Sequence, residues 1–239
     1  MPALKIHPLH LGTLIRPRII FFYDMANMAK PTEAPVLAWY IEGSDKKILI
    51  DTGGEDPASA PHRAPYTRER DQTIDQALGK IGVQCQEIDI VINTHLHWDH
   101  CCGNELFPKA QIIVQDEELR YARSPLPIHA GAYIKSVVEK IDYTVIAGDR
   151  EIAEGVSVIL TPGHSYGMQG VLVQAEACKY FLASDTVGLF ECLEREPPAI
   201  SGVYVDVRKY YESLEKIAAL SAVVLPGHDM KVLERKVYS

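Results

Sequence analysis

Apolar runs with the composition of buried β-strands end repeatedly in a histidine or an aspartate, and this arrangement constrains the fold more than any other feature. The runs are KKILID ending in Asp51, IDIVINTH in His95, SVILTPGH in His164, KYFLASD in Asp185 and AVVLPGH in His228. Each run is rich in Val, Ile or Leu, and the Pro-Gly steps in two of them indicate turns. If these strands lie side by side, their ends meet at one edge of a sheet core, where α/β proteins usually place ligand sites.

The densest group of candidate ligands lies in NTHLHWDH, residues 93–100. Its ligand-type side chains are His95, His97, Asp99 and His100. Alternate residues cannot share one face of a helix, but the side chains of a turn can converge on one point, so we predict a metal site here. The histidines expected to be ordinary surface or core residues are His7, His10, His62 and His129.

Length and composition predict one globular α/β domain spanning residues 1–239, with 47% apolar and 23% charged residues. The 24 basic and 32 acidic residues give a net charge of −8, which disfavours nucleic acid as a partner and favours a small neutral substrate. The first residues lack the features of a secretory signal, and no run approaches the ~18 apolar residues of a membrane helix. We therefore expect a cytoplasmic protein without a membrane partner, and a homodimer is compatible with the sequence.

The cysteines form no C-x-x-C motif, so neither a disulfide framework nor a zinc knuckle is predicted. They are Cys85, Cys101, Cys102, Cys178 and Cys192. We expect free thiols, and we interpret Cys101 and Cys102 as small residues packed beneath the site.

Helical and hairpin patterns lie between the strands. Residues 67–82 and 206–220 space their apolar side chains as helices do, and Asp206 is the expected N-cap of the second segment. The two stripes are Ile74, Leu78 and Ile81, then Tyr210, Leu214, Ile217 and Ala218. PVLAWYIEG and KKILID predict a β-hairpin. Together these patterns predict two packed mixed sheets covered by helices.

The ligand pattern resembles that of the metallo-β-lactamase superfamily, whose signature H-x-H-x-D-H matches residues 95–100. His164 in TPGH, Asp185 in ASD and His228 in LPGH resemble its later ligands in order and interval, and LIDTGG resembles its early strand and turn. The resemblance runs from about residue 20 to His228. It implies an αβ/βα sandwich of two mixed β-sheets flanked by helices, with a two-metal site between the sheets.

Within the superfamily, THLHWDHCCGNELFPKAQIIVQDEE, TPGHSYGMQGVLV and LPGHDMKVL resemble the N-acyl homoserine lactonases and related lactone hydrolases. This resemblance implies that His95, His97 and His164 hold one metal ion, that Asp99, His100 and His228 hold another, and that Asp185 bridges them. Such donors suit two Zn²⁺ per chain, and Fe, Co or Mn could also bind. A hydroxide between the metals would open a lactone or small ester, with Asp99 assisting proton transfer. Asp51 is the candidate to hold a histidine ring from outside the ligand set.

Other activities use the same fold. A thioesterase of the glyoxalase II type shares the ligand set but adds a C-terminal region that binds the glutathione moiety, whereas this sequence ends 11 residues after His228. An RNA-processing nuclease is disfavoured by the acidic net charge. A metal-bound scaffold without catalysis is disfavoured because every ligand position is filled.

The lactonases that the sequence resembles carry a tyrosine three residues after the bridging aspartate, where this chain has Gly188. Losing a hydrogen-bond donor to the oxyanion costs about 10²–10³ in rate unless another donor replaces it. The candidates are Tyr23, Tyr66, Tyr166 and Tyr204. We favour Tyr23 because it adjoins a predicted loop.

That loop is YDMANMAKPTEAP, residues 23–35, which is predicted to be mobile and to roof the site. It carries Met25 and Met28 among small and turn-forming residues, and methionines suit contact with an acyl chain. A peripheral loop with two exposed methionines is the alternative interpretation.

Overall fold

Two mixed β-sheets pack against each other in this protein, whose computed structural model describes residues 3–63 and 65–239. The strands of the first sheet are β1 (Lys5–Pro17), β2 (Pro31–Glu42), β3 (Ile48–Ile50), β4 (Tyr66–Thr67), β5 (Ile90–Ile92), β6 (Gln111–Gln115) and β7 (Tyr143–Ile146). The strands of the second are β8 (Arg150–Ala153), β9 (Val156–Leu160), β10 (Gln169–Gln174), β11 (Lys179–Ser184) and β12 (Val223–Pro226). The five apolar runs that end in candidate ligands are thus all strands, as predicted.

Strand direction brings the ends of these runs together. The first sheet has the order β4-β1-β2-β3-β5-β6-β7, in which β3 and β5 are parallel neighbours. The second has the order β12-β11-β10-β9-β8, in which β11 and β12 are parallel. Because β10 is antiparallel to both β9 and β11, β9 runs in the same direction as β11. The carboxyl ends that precede candidate ligands therefore share one edge in each sheet.

Alternating side chains fill the space between the sheets. In β3, Ile48 and Ile50 belong to an apolar cluster that also contains Val171 and Leu182 of the second sheet, whereas Leu49 belongs to a different cluster. Strands that bury both faces are expected where helices cover the outer face. The predicted αβ/βα sandwich is confirmed, and so is the β2–β3 hairpin, in which Trp39 pairs with Ile50.

The helices are α1 (Ile74–Gly79), α2 (Trp98–Cys101), α3 (Asp116–Arg123), α4 (Lys135–Val138) and α5 (Val207–Ala219). In α5 the Asp206 side chain accepts a hydrogen bond from the Lys209 N–H at 3.0 Å, which confirms the predicted N-cap. The predicted apolar stripe is buried except for Ala218, which is exposed and falls outside it. None of the helices in the described ranges is long and apolar enough to cross a membrane.

The prediction of one helix over residues 67–82 is wrong in its length. Thr67 pairs with Thr13 of β1 as part of β4, and Arg70–Gln72 form a separate 3₁₀ turn. Thr73 is extended, with φ −68° and ψ 149°, so α1 cannot begin before Ile74. The start of the segment is extended because it completes the edge of the first sheet.

Candidate metal centre

Each predicted ligand follows a strand of the two sheets, and the structure brings all of them together. The ligands are His95, His97, Asp99 and His100 after β5, His164 after β9, Asp185 after β11 and His228 after β12. Donor atoms lie within 4.8 Å of one another in three groups: His95 with His97 and His164, His95 with His100 and Asp185, and Asp99 with His100 and His228. The convergence expected from the strand pattern is therefore present.

The segment after β5 directs its side chains by changing from extended to helical backbone. His97 is extended, with φ −66° and ψ 153°, and it is the N-cap residue of the one-turn helix α2. Asp99 and His100 lie within α2, so their side chains leave the backbone in different directions from those of His95 and His97. Trp98 is buried. This change lets four side chains within six positions face a common point.

The Asp185 carboxylate lies between two sets of histidines. The first set is His95, His97 and His164, and the second is His100 and His228. Its Oδ2 is 3.3 Å from Nε2 of His164, whereas its Oδ1 is 3.1 Å from Nε2 of His100 and 3.0 Å from Nε2 of His228. Asp99 is near the second set, with carboxylate oxygens 3.8 Å and 3.9 Å from the same two Nε2 atoms. A carboxylate with one oxygen on each side is well placed to be shared by two metal sites.

Two buried ring nitrogens in this centre lack a hydrogen-bond partner among the described residues. They are Nε2 of His95 and Nε2 of His100. Because a buried polar atom without a partner costs about 1–3 kcal/mol, two of them at one point indicate that a ligand belongs there. Imidazoles and carboxylates are the donors that Zn²⁺ and related transition-metal ions prefer, so the residues present fit such ions.

The outward-facing nitrogen of three candidate ligand rings is fixed by a hydrogen bond. These rings are His100, His164 and His228. Their Nδ1–H groups donate to Asp51 Oδ2 at 2.8 Å, to the Val203 carbonyl at 2.9 Å and to the Pro35 carbonyl at 2.9 Å, respectively. With one proton held on Nδ1, each ring can present an Nε2 lone pair to the centre once any proton on Nε2 is displaced. Asp51 therefore makes the contact that was predicted for it.

No sequence pattern singled out Thr94, which joins the segments that carry Asp51, His95 and Asp185. Its N–H donates to Asp51 Oδ1 at 2.8 Å, and its hydroxyl lies 2.7 Å from Asp51 Oδ2, 3.1 Å from His95 Nδ1 and 2.9 Å from Ser184 Oγ. Asp51 and Ser184 have positive φ angles of 58° and 46°, which are strained for residues other than glycine. Thr94 thus helps to hold strained backbone on both sides of the centre.

Burial and charge divide the histidines into two kinds. Burial, together with neighbouring imidazoles, holds the pKa values of His95 and His97 well below the ordinary value, so these rings are neutral at pH 7. Burial also acts to lower the pKa of His100, but nearby carboxylates, Asp185 first, raise it well above the ordinary value. Burial opposes ionisation of Asp185, yet His228 and other histidines hold its pKa well below the ordinary value. Metal ions would replace the protons that these groups share.

The backbone of Phe21 fills the space beside Gly188. A Cβ at Gly188 would lie 2.8 Å from the Phe21 carbonyl oxygen, and the Phe21 ring is 5.1 Å from the His228 ring. A side chain at position 188 is therefore excluded unless the Phe21 segment moves. Among the candidate tyrosines, Tyr66 is buried, and its hydroxyl donates a hydrogen bond to the Leu11 carbonyl at 3.4 Å.

A cavity of about 500 Å³ lies beside the His164 loop. Its lining includes Tyr23, Met25, Ile200 and Tyr204, and Tyr204 adjoins Val203, whose carbonyl fixes the His164 ring. Of the predicted roof, residues 23–25 line this cavity, whereas residues 31–35 belong to β2, so the predicted boundary of the loop is wrong. The strand starts early because Pro31 pairs with Pro17 of β1.

The cysteines and the other four histidines are not among the grouped donor atoms of this centre. All five cysteines are free thiols, as predicted. The remaining histidines contact other groups: His7 lies 2.7 Å from Glu42, His10 lies 3.1 Å from Thr13, His129 lies 2.5 Å from Tyr121, and His62 lies 3.8 Å from Glu55.

Comparison with known proteins places this geometry in a family. Residues 31–228 match the metallo-beta-lactamase superfamily. The chain is 31% identical over 218 residues to an N-acyl homoserine lactonase from a Bacillus species, a match covering 83% of each chain. It is 31% identical over 156 residues to the Bacillus cereus N-acyl homoserine lactonase, and there it spans 59% of the relative. A variant of Bacillus thuringiensis AiiA with N-decanoyl-L-homoserine at its active site superposes with a TM-score of 0.83 at 25% identity, over 98% and 96% of the two chains.

Proposed function

Because this chain belongs to the metallo-β-lactamase superfamily, we propose that it is a metal-dependent hydrolase that opens lactone rings, with N-acyl homoserine lactones as its substrate class. The observation that supports the substrate class is the similarity, over 83% of each chain, to a protein that is itself an N-acyl homoserine lactonase. The donor geometry supports the reaction class independently, because one carboxylate lies between two sets of histidines.

We assign one metal ion to His95, His97 and His164, a second to Asp99, His100 and His228, and a shared position to Asp185. Zn²⁺ is the ion that this donor set suits best, at two per chain, although Fe, Co or Mn would find the same donors. When bound, such ions supply Lewis acidity, which lowers the pKa of water towards 7 and polarises a substrate carbonyl.

The protein's own groups position and move the proton. Ring opening adds water across the ester bond: a new C–O bond forms at the carbonyl carbon, the ring C–O bond breaks, and the leaving oxygen must receive a proton. Asp99 is partly exposed, unlike the buried histidines around it, so its carboxylate can accept the proton of the attacking water and deliver it to the leaving oxygen. The hydrogen bonds to Asp51, Val203 and Pro35 keep the ligand rings from rotating during this exchange.

The alternative, a thioesterase of the glyoxalase II type, is not favoured, because the relatives reported above are lactonases. The test is a panel of N-acyl homoserine lactones, simple lactones and thioesters, assayed with zinc-loaded protein and with the same protein after chelation. We expect lactones to gain the mass of one water only with metal-loaded protein, at a metal content of about two ions per chain. Faster hydrolysis of thioesters than of every lactone would contradict the substrate class, and one ion or fewer per chain would contradict the shared centre.

A further inference from the structure

Glu118 is a buried carboxylate outside the ligand set, and its two oxygens hold two different ligand-bearing turns. Oε1 accepts a hydrogen bond from the Leu96 N–H at 2.9 Å, and Oε2 accepts one from the Gly167 N–H at 3.1 Å. Leu96 lies between His95 and His97, and Gly167 is three residues after His164. One side chain in the first turn of α3 therefore contacts both turns that carry this histidine triad.

The turn after His164 lies directly against α3 at this point. A Cβ at Gly167 would be 2.4 Å from the backbone nitrogen of Glu118, so only glycine allows this approach without a shift. The distance between the turn and the helix is thus fixed by contact as well as by the hydrogen bond.

Tyr133 provides a third connection. Its hydroxyl donates to Glu118 Oε1 at 3.3 Å, and its ring centre is 4.8 Å from that of His97 in an edge arrangement. All three of these partners of Glu118 are donors, which suits the ionised carboxylate. Burial raises the pKa of Glu118, and the hydrogen bonds oppose that effect.

We propose that Glu118 is a positioning residue that sets the spacing of His95, His97 and His164. The inference rests on the proposed function in assuming that this triad binds a metal ion. Within the described ranges, no hydrogen bond joins Glu118 to the second set, which contains Asp99, His100 and His228, and the rings of His100 and His228 are held by Asp51 and Pro35 instead. Loss of the carboxylate should therefore weaken one half of the centre selectively.

The test is Glu118→Gln, which keeps the shape but replaces one acceptor oxygen with an amide donor that faces a backbone N–H. It is made in two backgrounds, His228→Ala, which leaves the first triad complete, and His97→Ala, which leaves the second set complete. Zn²⁺ affinity is measured by competition with a chelator. We expect Glu118→Gln to lower the affinity about 10–100-fold in the first background and less than about twofold in the second.

Gln115→Met is the matched control. Gln115 is buried just before α3 and bonds Gly148 and Gln169, so it reaches the segment before His95 only indirectly, through the Gln169 side chain that donates to the Asn93 carbonyl. The proposal would be overturned if Glu118→Gln left the Zn²⁺ affinity unchanged in both backgrounds. It would also be overturned if Glu118→Gln lowered the affinity equally in both backgrounds, to the same extent as Gln115→Met. If Glu118→Gln does not fold, Glu118→Asp replaces it with the same expectation, because the shorter side chain cannot reach both turns.

A second readout needs no metal. In the metal-free protein, Glu118→Gln should speed the hydrogen exchange of at least one of the Leu96 and Gly167 amides, the one that faces the new amide group, about tenfold or more, as follows from losing a hydrogen bond to a charged group. Unchanged exchange at both amides would overturn the positioning role. Absence of zinc binding in every protein that retains Glu118 would instead refute the proposed metal centre, and amide exchange would still decide the role of Glu118.

Discussion

Gly188→Ala should destabilise this protein, although alanine usually stabilises a chain relative to glycine. The new Cβ would meet the Phe21 carbonyl oxygen at 2.8 Å, and the Phe21 Cα and carbonyl carbon at 3.4 Å and 3.5 Å. Since ordinary van der Waals contacts begin near 3.4 Å, the shortest contact must lengthen by more than half an ångström. The atoms in the way belong to the backbone, so no side-chain rotation can relieve the clash.

Two effects of known size decide whether Gly188→Ala raises or lowers the free energy of unfolding. Overpacking a filled site typically costs about 1–3 kcal/mol, whereas replacing glycine by alanine gains about 0.4–1 kcal/mol through the unfolded chain. The difference is a loss of about 0–2.6 kcal/mol in the free energy of unfolding, and about 1.3 kcal/mol at the midpoints of the two ranges. Because the Phe21 ring packs 5.1 Å from the His228 ring, the displaced segment should also lower Zn²⁺ affinity.

Urea unfolding of the metal-free protein measures the change in the free energy of unfolding, and Gly79→Ala is the control. Gly79 ends α1, and a Cβ there would meet no atom of the described residues within 4 Å, so this variant should be neutral or stabilised by up to about 1 kcal/mol. If Gly188→Ala proves as stable as Gly79→Ala, the packing of Phe21 against Gly188 does not exclude a side chain. The account of the missing tyrosine would then be wrong.

Asp185→Asn should lower kcat on the best lactone about 10²–10³-fold while circular dichroism shows an intact fold, because the negative charge between the two histidine sets is lost; wild-type turnover would remove Asp185 from the centre. Met25→Gln should raise KM for long-chain lactones more than for short ones, because Met25 lines the cavity. Met28 lies outside that lining, so Met28→Gln should raise neither KM. Equal effects of the two variants would show that the cavity does not bind the acyl chain. Tyr23→Phe or Tyr204→Phe should lower kcat if a hydroxyl from the cavity wall replaces the missing tyrosine; full turnover in both would leave oxyanion stabilisation to the metal ions.

The convergence of the candidate ligands can be predicted from the sequence because its signal is local. A strand that ends in a histidine or aspartate is recognisable from neighbouring residues. Because parallel strands end at the same edge of a sheet, these side chains are brought together there. The predicted boundary between the loop and β2 was wrong because the start of β2 depends on pairing between Pro31 and Pro17 of another strand. Thr94 and Glu118 were missed because a single buried polar residue acquires its role only from partners that are distant in sequence.

The centre also has a consequence for how the two sheets stay together. Each proposed ion takes ligands from both sheets: His95 and His97 follow β5 of the first sheet and His164 follows β9 of the second, and His100 and His228 are divided in the same way. Metal binding should therefore stabilise the packing of the sheets as well as supply chemistry, since a ligand that binds only the folded state shifts unfolding by mass action. At a free metal concentration about 1,000 times the Kd, that shift is about 4 kcal/mol per site. The buried nitrogens left without partners, and the strained backbone at Asp51 and Ser184, are costs that this binding energy can offset.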